Sequence, residues 1–287
     1  MAAAGRILLS THVVSAFALD GGAMFGVVPR PLWERAHPAD ERGRIRMVAR
    51  VLVARFPASG RVVVVDAGLG AAWSPKEADR YGVEPAAGLA GALAELGLEP
   101  ADVTDALITH LHFDHSAGFV ARPEPGAPLA PVLPRAVHHV QRAHLEWARE
   151  PSPRDRASFL AHHLAPLDER GLLCPVDGPA TLLDGLEVLV SDGHTPAMQL
   201  PVLTGAGGTV AFPSDLIPTA SHLHEAWGMA YDLRPLALIE EKRRLLARAA
   251  AEGWTLVFEH DPRVEAGRVA DENGAARLSE TACPAEL

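Results

Sequence analysis

Cysteine is nearly missing from this sequence: Cys174 and Cys283 are the only two among 287 residues. So distant a pair provides neither a disulfide framework nor a Cys-rich zinc module, and both are expected as free thiols. No apolar run approaches the ~20 residues needed to cross a bilayer. The segment Met1 to Phe17 has an early Arg6 and an apolar stretch, but His12 interrupts it and Leu19-Asp20-Gly21-Gly22 lacks a cleavage pattern. It reads as a first strand rather than a signal peptide, and a cytoplasmic protein without a membrane partner is the expectation. Positive charge is short as well. Against 36 acidic residues stand 26 basic ones, a formal net charge of -10 that removes any general attraction to a phosphate backbone. A nucleic-acid partner is therefore disfavoured, and Lys242-Arg243-Arg244 reads as the solvated face of a helix.

What is present is ordinary globular material, 48% hydrophobic and 22% charged, which suffices to bury a sizeable core. A layered α/β domain can absorb the whole length, so residues 1–287 are read as a single domain. Apolar β-branched runs bounded by Gly or Asp predict strands at Met47 to Phe56, Arg61 to Val65, Ala106 to Thr109, Leu186 to Val190, Thr209 to Phe212 and Thr255 to Phe258. Helical spacing predicts helices at Ala86 to Leu96, Val140 to Ala148, Ala157 to Arg170 and Pro235 to Ala251, the last with Pro in its first turn and Gly253 just beyond. Strands in both halves with helices between them imply two packed sheets flanked by helices. Arg122 to Pro134 holds five prolines and reads as a surface loop or lid. The tail after Arg268 shows no periodicity and is expected to pack loosely.

The chemistry concentrates in His110-Leu111-His112-Phe113-Asp114-His115. Ala106 to Thr109 reads as a buried strand, so this run leaves its C-terminal end, where functional groups gather in layered folds. Alternate residues of extended backbone face one way, which lets His110 and His112 approach one ion while Asp114 and His115 address a neighbouring position. Imidazole nitrogen with carboxylate oxygen suits zinc, and also manganese, iron or cobalt. Three His and one Asp within six positions point to metal rather than packing. His138, His139, His144, His162 and His163 read instead as capping, exposed or structural residues.

The run Thr109 to His115 resembles the signature of the metallo-β-lactamase superfamily, and further motifs of that family follow in order. Asp66 closes Val62-Val63-Val64-Val65, His194 stands in Gly193-His194-Thr195-Pro196, Asp215 follows Ser214 where the family commonly has Gly, and His260 ends Val257-Phe258-Glu259. The resemblance implies an αββα sandwich of two mixed β-sheets flanked by helices. It implies two divalent metal ions, with zinc preferred: His110, His112 and His194 at the first, Asp114, His115 and His260 at the second, and Asp215 bridging. Asp66 would orient a ligating His by accepting its other ring proton. Such a pair shares a water, lowers its pKa and presents hydroxide to an electrophile. Asp215 and Asp114 are thus the expected catalytic carboxylates, with Asp114 or water as the proton donor.

Within that family, His112 stands where di-iron oxidoreductases carry Glu, and no ligand position is Cys as in zinc β-lactamases. The Asp215 to His260 interval and Leu19 to Val27 resemble the branch with N-acyl homoserine lactone lactonases and organophosphate hydrolases. The expectation is a hydrolase of a small-molecule lactone or related ester, able to form a homodimer. The alternatives are a phosphotriesterase and a non-catalytic metal-dependent ligand-binding protein. One departure is the stretch after Asp215, Leu216-Ile217-Pro218-Thr219, which lacks the Tyr that several lactonases use at the substrate carbonyl. His222, His224 and Tyr231 are the replacements within reach. Met24, Phe25, Trp33, Trp227 and Met229 are candidate walls of an apolar pocket.

Overall fold

Alternation along the strands decides the layers. In Arg61–Val65, Val63 and Val65 pack between two sheets while Val64 packs outward beneath helices. This is the period of two that a pleated strand imposes. Leu52 likewise faces the inter-sheet core and its neighbours Val51 and Val53 face the helices. On the other sheet, Val257 points inward and Leu256 outward, onto Leu245, Leu246 and Ala249 of the helix Pro235–Glu252. The result is helix, sheet, sheet, helix, as expected.

This computed structural model describes residues 5–272 and 275–282. Cys283 lies outside them, and Cys174 is a half-buried free thiol. The first sheet runs in the order Leu8–Asp20, Arg44–Phe56, Arg61–Val65, Asp105–Leu107, Val137–Gln141, Leu173–Val176. Its first three strands are antiparallel and the remaining pairings parallel. The second sheet runs Ala275–Ala282, Ala266–Glu272, Thr255–Val257, Gly208–Ala211, Met198–Gly205, Leu186–Ser191, Ala180–Leu183. It is antiparallel except where Gly208–Ala211 pairs with Thr255–Val257. Both sheets are therefore mixed. Parallel neighbours end on one side, so Asp66 and His110 leave the first sheet near where Asp215 and His260 leave the second.

Several elements differ from expectation. The tail after Arg268 is not loose: Ala266–Glu272 and Ala275–Ala282 form an antiparallel hairpin extending the second sheet. The segment Val140 to Ala148 divides into the end of the strand Val137–Gln141 and the helix Arg142–Arg149. Helix Ala161–Glu169 starts later than expected and follows a separate turn at Arg156–Ser158. The Pro-rich segment is a loop apart from a two-residue pairing of Val120–Ala121 with Ala130–Pro131. Lys242 is the sharpest correction. Arg243 and Arg244 are solvated, but Lys242 is buried and its Nζ donates to the Trp227 carbonyl. A helix turns about 100° per residue, so adjacent residues need not share an environment. No described helix is long and apolar enough to cross a membrane.

Candidate metal centre

Strand ends supply the site. Asp66 follows Val65 with φ +56, a backbone that L-residues adopt at a cost, and its carboxylate turns onto the next strand end. Oδ1 accepts from Thr109 N at 2.7 Å and Oδ2 from Thr109 Oγ1 at 2.6 Å. The chain then turns through His110 to His112 into the short helix Phe113–Ser116, which carries Asp114 and His115. His144 fastens this loop from the side: its Nε2 accepts from Leu111 N at 2.7 Å and its Nδ1 donates to the Pro196 carbonyl at 2.8 Å. One buried imidazole thus ties the His110–His112 loop to the His194 turn. That turn also needs its glycine, because a Cβ on Gly193 would lie 2.4 Å from Leu238 Cα in the C-terminal helix.

The far nitrogen of most site imidazoles meets an acceptor, and this fixes the tautomers. His110 Nδ1 is 3.1 Å from Thr109 Oγ1, whose own proton goes to Asp66. His115 Nδ1 is 3.1 Å from both Asp66 Oδ2 and Glu259 Oε1. His194 Nδ1 is 2.9 Å from Asp232 Oδ1, and His260 Nδ1 donates to the Val48 carbonyl at 2.9 Å. Each ring therefore turns Nε2 inward as a lone pair, the tautomer a metal needs. His112 differs, presenting Nδ1 to His194 Nε2 at 3.2 Å.

Seven ligand-type residues converge in two groups, all buried. His110, His112, His194 and Asp215 form one, and Asp114, His115 and His260 the other, with ligand atoms within 4.8 Å of one another in each. Asp215 Oδ2 stands 3.7 Å from His110 Nε2, 3.1 Å from His194 Nε2 and 3.5 Å from His115 Nε2, while Oδ1 stands 3.2 Å from His260 Nε2. Asp114 reaches His115 at 3.9 Å and His260 at 3.8 Å. Atoms bound tetrahedrally to zinc at 2.0–2.1 Å lie about 3.3 Å apart, so these spacings suit a cation. His115 Nε2 and His260 Nε2 face each other at 3.1 Å, close enough that a shared proton or a metal ion is needed to reconcile them. His110 Nε2 and Asp215 Oδ1 have no hydrogen-bond partner although both are buried, an arrangement costly without a ligand. The residues present fit divalent metal.

Electrostatics agree. Burial, reinforced by neighbouring imidazoles, holds His110 and His112 well below the ordinary histidine range, so both rings are neutral. Burial opposes charge on His115 and His260 too, but Glu259, Asp215 and Asp114 lift His115 well above that range, and Asp215 lifts His260 to about 9. Buried carboxylates here call for positive charge.

A cavity of about 240 Å³ opens on this centre, lined by Asp114, Asp215, His112, His194 and His260 and walled by Leu19, Met24, Met47, Phe113, Met229, Tyr81 and Tyr231. Among the described residues, no Lys or Arg contributes to it. Of the expected apolar walls, Met24 and Met229 line the cavity. Phe25, Trp33 and Trp227 instead stack behind it, Phe25 against Trp33 at 5.4 Å and edge-on to Trp227 at 5.8 Å. The three candidate carbonyl partners separate cleanly. His222 is committed to Thr219 Oγ1 and the Met24 carbonyl, and burial lowers it to about 3. His224 lines a different groove, beside Arg243 and Arg277. Tyr231 alone reaches the cavity. Sequence reading missed Asp232, Glu259 and the connecting duty of His144, because each acts through a residue distant in the chain, and it missed Tyr81, which reaches the cavity from a helix far from the motifs.

The sequence profile of the metallo-beta-lactamase superfamily matches residues 51–260. The chain belongs to this superfamily. Among solved structures similar to this superfamily member is a probable metal-dependent hydrolase from Staphylococcus aureus, 28% identical with TM-score 0.86 over 97% of this chain and 99% of that one. A dizinc quorum-quenching lactonase with a bound product is 17% identical with TM-score 0.78, covering 97% and 95% of the two chains. An N-acyl homoserine lactone hydrolase, with N-hexanoyl-L-homoserine at its catalytic metal centre, is 17% identical with TM-score 0.67, covering 91% and 94%. The two latter likenesses establish the fold.

Proposed function

We propose that this superfamily member is a hydrolase of uncharged lactones or related esters that works with two divalent ions, preferably zinc. The observation that carries this reading is Asp215. Its Oδ1 faces His260, and its Oδ2 faces His110 and His194 and lies 3.5 Å from His115, so one carboxylate touches both ligand groups, the placement expected if it lies between two ions. His110, His112 and His194 would hold one ion and Asp114, His115 and His260 the other. Because both sheets contribute ligands to one centre, residues 1–287 are best treated as a single domain. Zinc is the choice of an N- and O-donor set, with manganese, iron and cobalt as substitutes.

When bound, such a pair polarises an ester carbonyl and lowers the pKa of water toward neutrality. The protein's own groups do the rest. Met24, Met47, Phe113 and Met229 exclude solvent and accept an apolar acyl chain, thioethers adapting readily to its shape. Tyr231 donates a hydrogen bond to the carbonyl oxygen as negative charge develops there, the duty left open by the stretch after Asp215. Asp114 would accept the proton released by the attacking water and pass it to the departing alkoxide. A cavity without Lys or Arg favours an uncharged substrate over one bearing a carboxylate or phosphate monoester.

A substrate panel on metal-loaded protein tests the reading. The kcat/KM for N-acyl lactones or aryl esters is expected to exceed that for phosphotriesters by roughly tenfold or more. The reverse order makes the protein a phosphotriesterase, and ligand binding without turnover makes it a binding protein. The small-molecule products named for the structural neighbours support testing lactones first.

A further inference from the structure

Asp232 lies 38 residues beyond His194 in sequence and is buried beneath it. Its two oxygens serve two different structures. Oδ1 is 2.9 Å from His194 Nδ1, and Oδ2 accepts from Met229 N at 2.7 Å. Met229 and Tyr231 wall the cavity. The same segment is stitched to the histidine turn by its backbone, with Leu233 N donating to the His194 carbonyl at 3.0 Å and Arg234 N to the Gly193 carbonyl at 2.9 Å. From behind, the C-terminal helix grips both pieces. Glu241 accepts from Ser191 Oγ at 2.6 Å and from Gly193 N at 3.1 Å, and Lys242 donates to the Trp227 carbonyl. Lys242 is a buried cation, lowered by burial to about 8 and offset by the negative charge of Asp232 and Glu225. A buried ammonium without compensating charge is costly.

We infer that Asp232 is a positioning residue that locks the His194 ring and the Met229–Tyr231 wall into one unit, backed by the buried Lys242, whose Nζ holds the Trp227 carbonyl at the start of that segment. The inference rests on His194 being a metal ligand, and it extends that reading from the ligand to the wall that receives the substrate. Its physical core is a count of acceptors. A carboxylate accepts the ring N–H and the Met229 N–H at once, whereas an amide has one oxygen and satisfies only one of them. Asp232→Asn must therefore release either the histidine or the wall.

The test titrates metal-free protein with zinc against a competing chelator and with cobalt(II) by visible spectroscopy, using the full chain and the variants His194→Ala, Asp232→Asn and Lys242→Met. Asp232→Asn is expected to weaken zinc binding about 10–100-fold and to change the cobalt spectrum. Lys242→Met leaves both Asp232 bonds in place, so it is expected to weaken zinc only severalfold. It also keeps the inference testable if Asp232→Asn does not fold. Wild-type zinc affinity together with a wild-type KM for an N-acyl lactone in folded Asp232→Asn, or wild-type zinc affinity in Lys242→Met, overturns the inference while leaving the site intact, provided His194→Ala binds weakly. Wild-type affinity in His194→Ala overturns the underlying metal-site reading as well.

Discussion

Tyr231 and Asp215 line the same cavity. Burial, and then the negative charge of Asp114, raises the Tyr231 phenol above its ordinary range, so it remains a hydrogen-bond donor at any working pH. Tyr231→Phe should therefore lower kcat about 100-fold, the usual loss for one donor aimed at a developing oxyanion, while leaving metal content unchanged. Steady-state kinetics with metal analysis on the same sample checks both halves. Ser214 offers a finer test of competing terms. It replaces the family's usual glycine at φ +48, where an L-residue costs about 1–2 kcal/mol, and its hydroxyl donates to Thr109 Oγ1 at 3.0 Å, worth about 1 kcal/mol. Relieved strain and a lost hydrogen bond nearly cancel. Ser214→Gly should shift the urea midpoint by the equivalent of no more than about 1 kcal/mol.

Elements place these residues, and glycine lets two of them meet. Gly193→Ala pushes a methyl against Leu238 and is expected to cost about 1–3 kcal/mol, with metal affinity falling as His194 is displaced. Thermal unfolding and zinc titration of one preparation separate the two effects. The elements legible in sequence were those with an unbroken local signal. The valine run of Arg61–Val65 and the helical period of Pro235–Glu252 needed no tertiary help. Met198–Gly205 escaped notice because Pro201 interrupts it, and proline usually argues against an interior strand. The terminal hairpin was hidden by small and polar residues whose strand character comes from pairing with Thr255–Val257. At the site, the ligand-type residues stood out as motifs at strand ends. Asp232, Glu259 and Lys242 did not, since nothing local distinguishes a carboxylate that reaches a histidine across the fold, or a lysine turned inward beside two solvated arginines.

Across the whole molecule, one buried carboxylate joins three strands of the first sheet. Burial opposes ionisation of Asp105, but hydrogen bonds from His139, Arg61 and Thr104 outweigh it and hold the carboxyl well below the usual range. Because the folded value is depressed, this stabilisation is full above the unfolded value of about 4 and is lost as pH falls below it. Urea unfolding from pH 7 to pH 3 should show wild type losing its advantage over Asp105→Asn only below about pH 4. An advantage unchanged across that window would leave the Asp105 cluster without a share in acid unfolding. The two sheets that this cluster helps to build bring seven ligand-type side chains to one centre, five of them lining the cavity in which two ions are proposed to support hydrolysis of an uncharged ester. The direct measurement is turnover of an N-acyl lactone by metal-free protein as zinc is added stepwise. No turnover is expected at the start, followed by a rise that levels off at two equivalents per chain. Full turnover by the chelated, metal-free protein would contradict this.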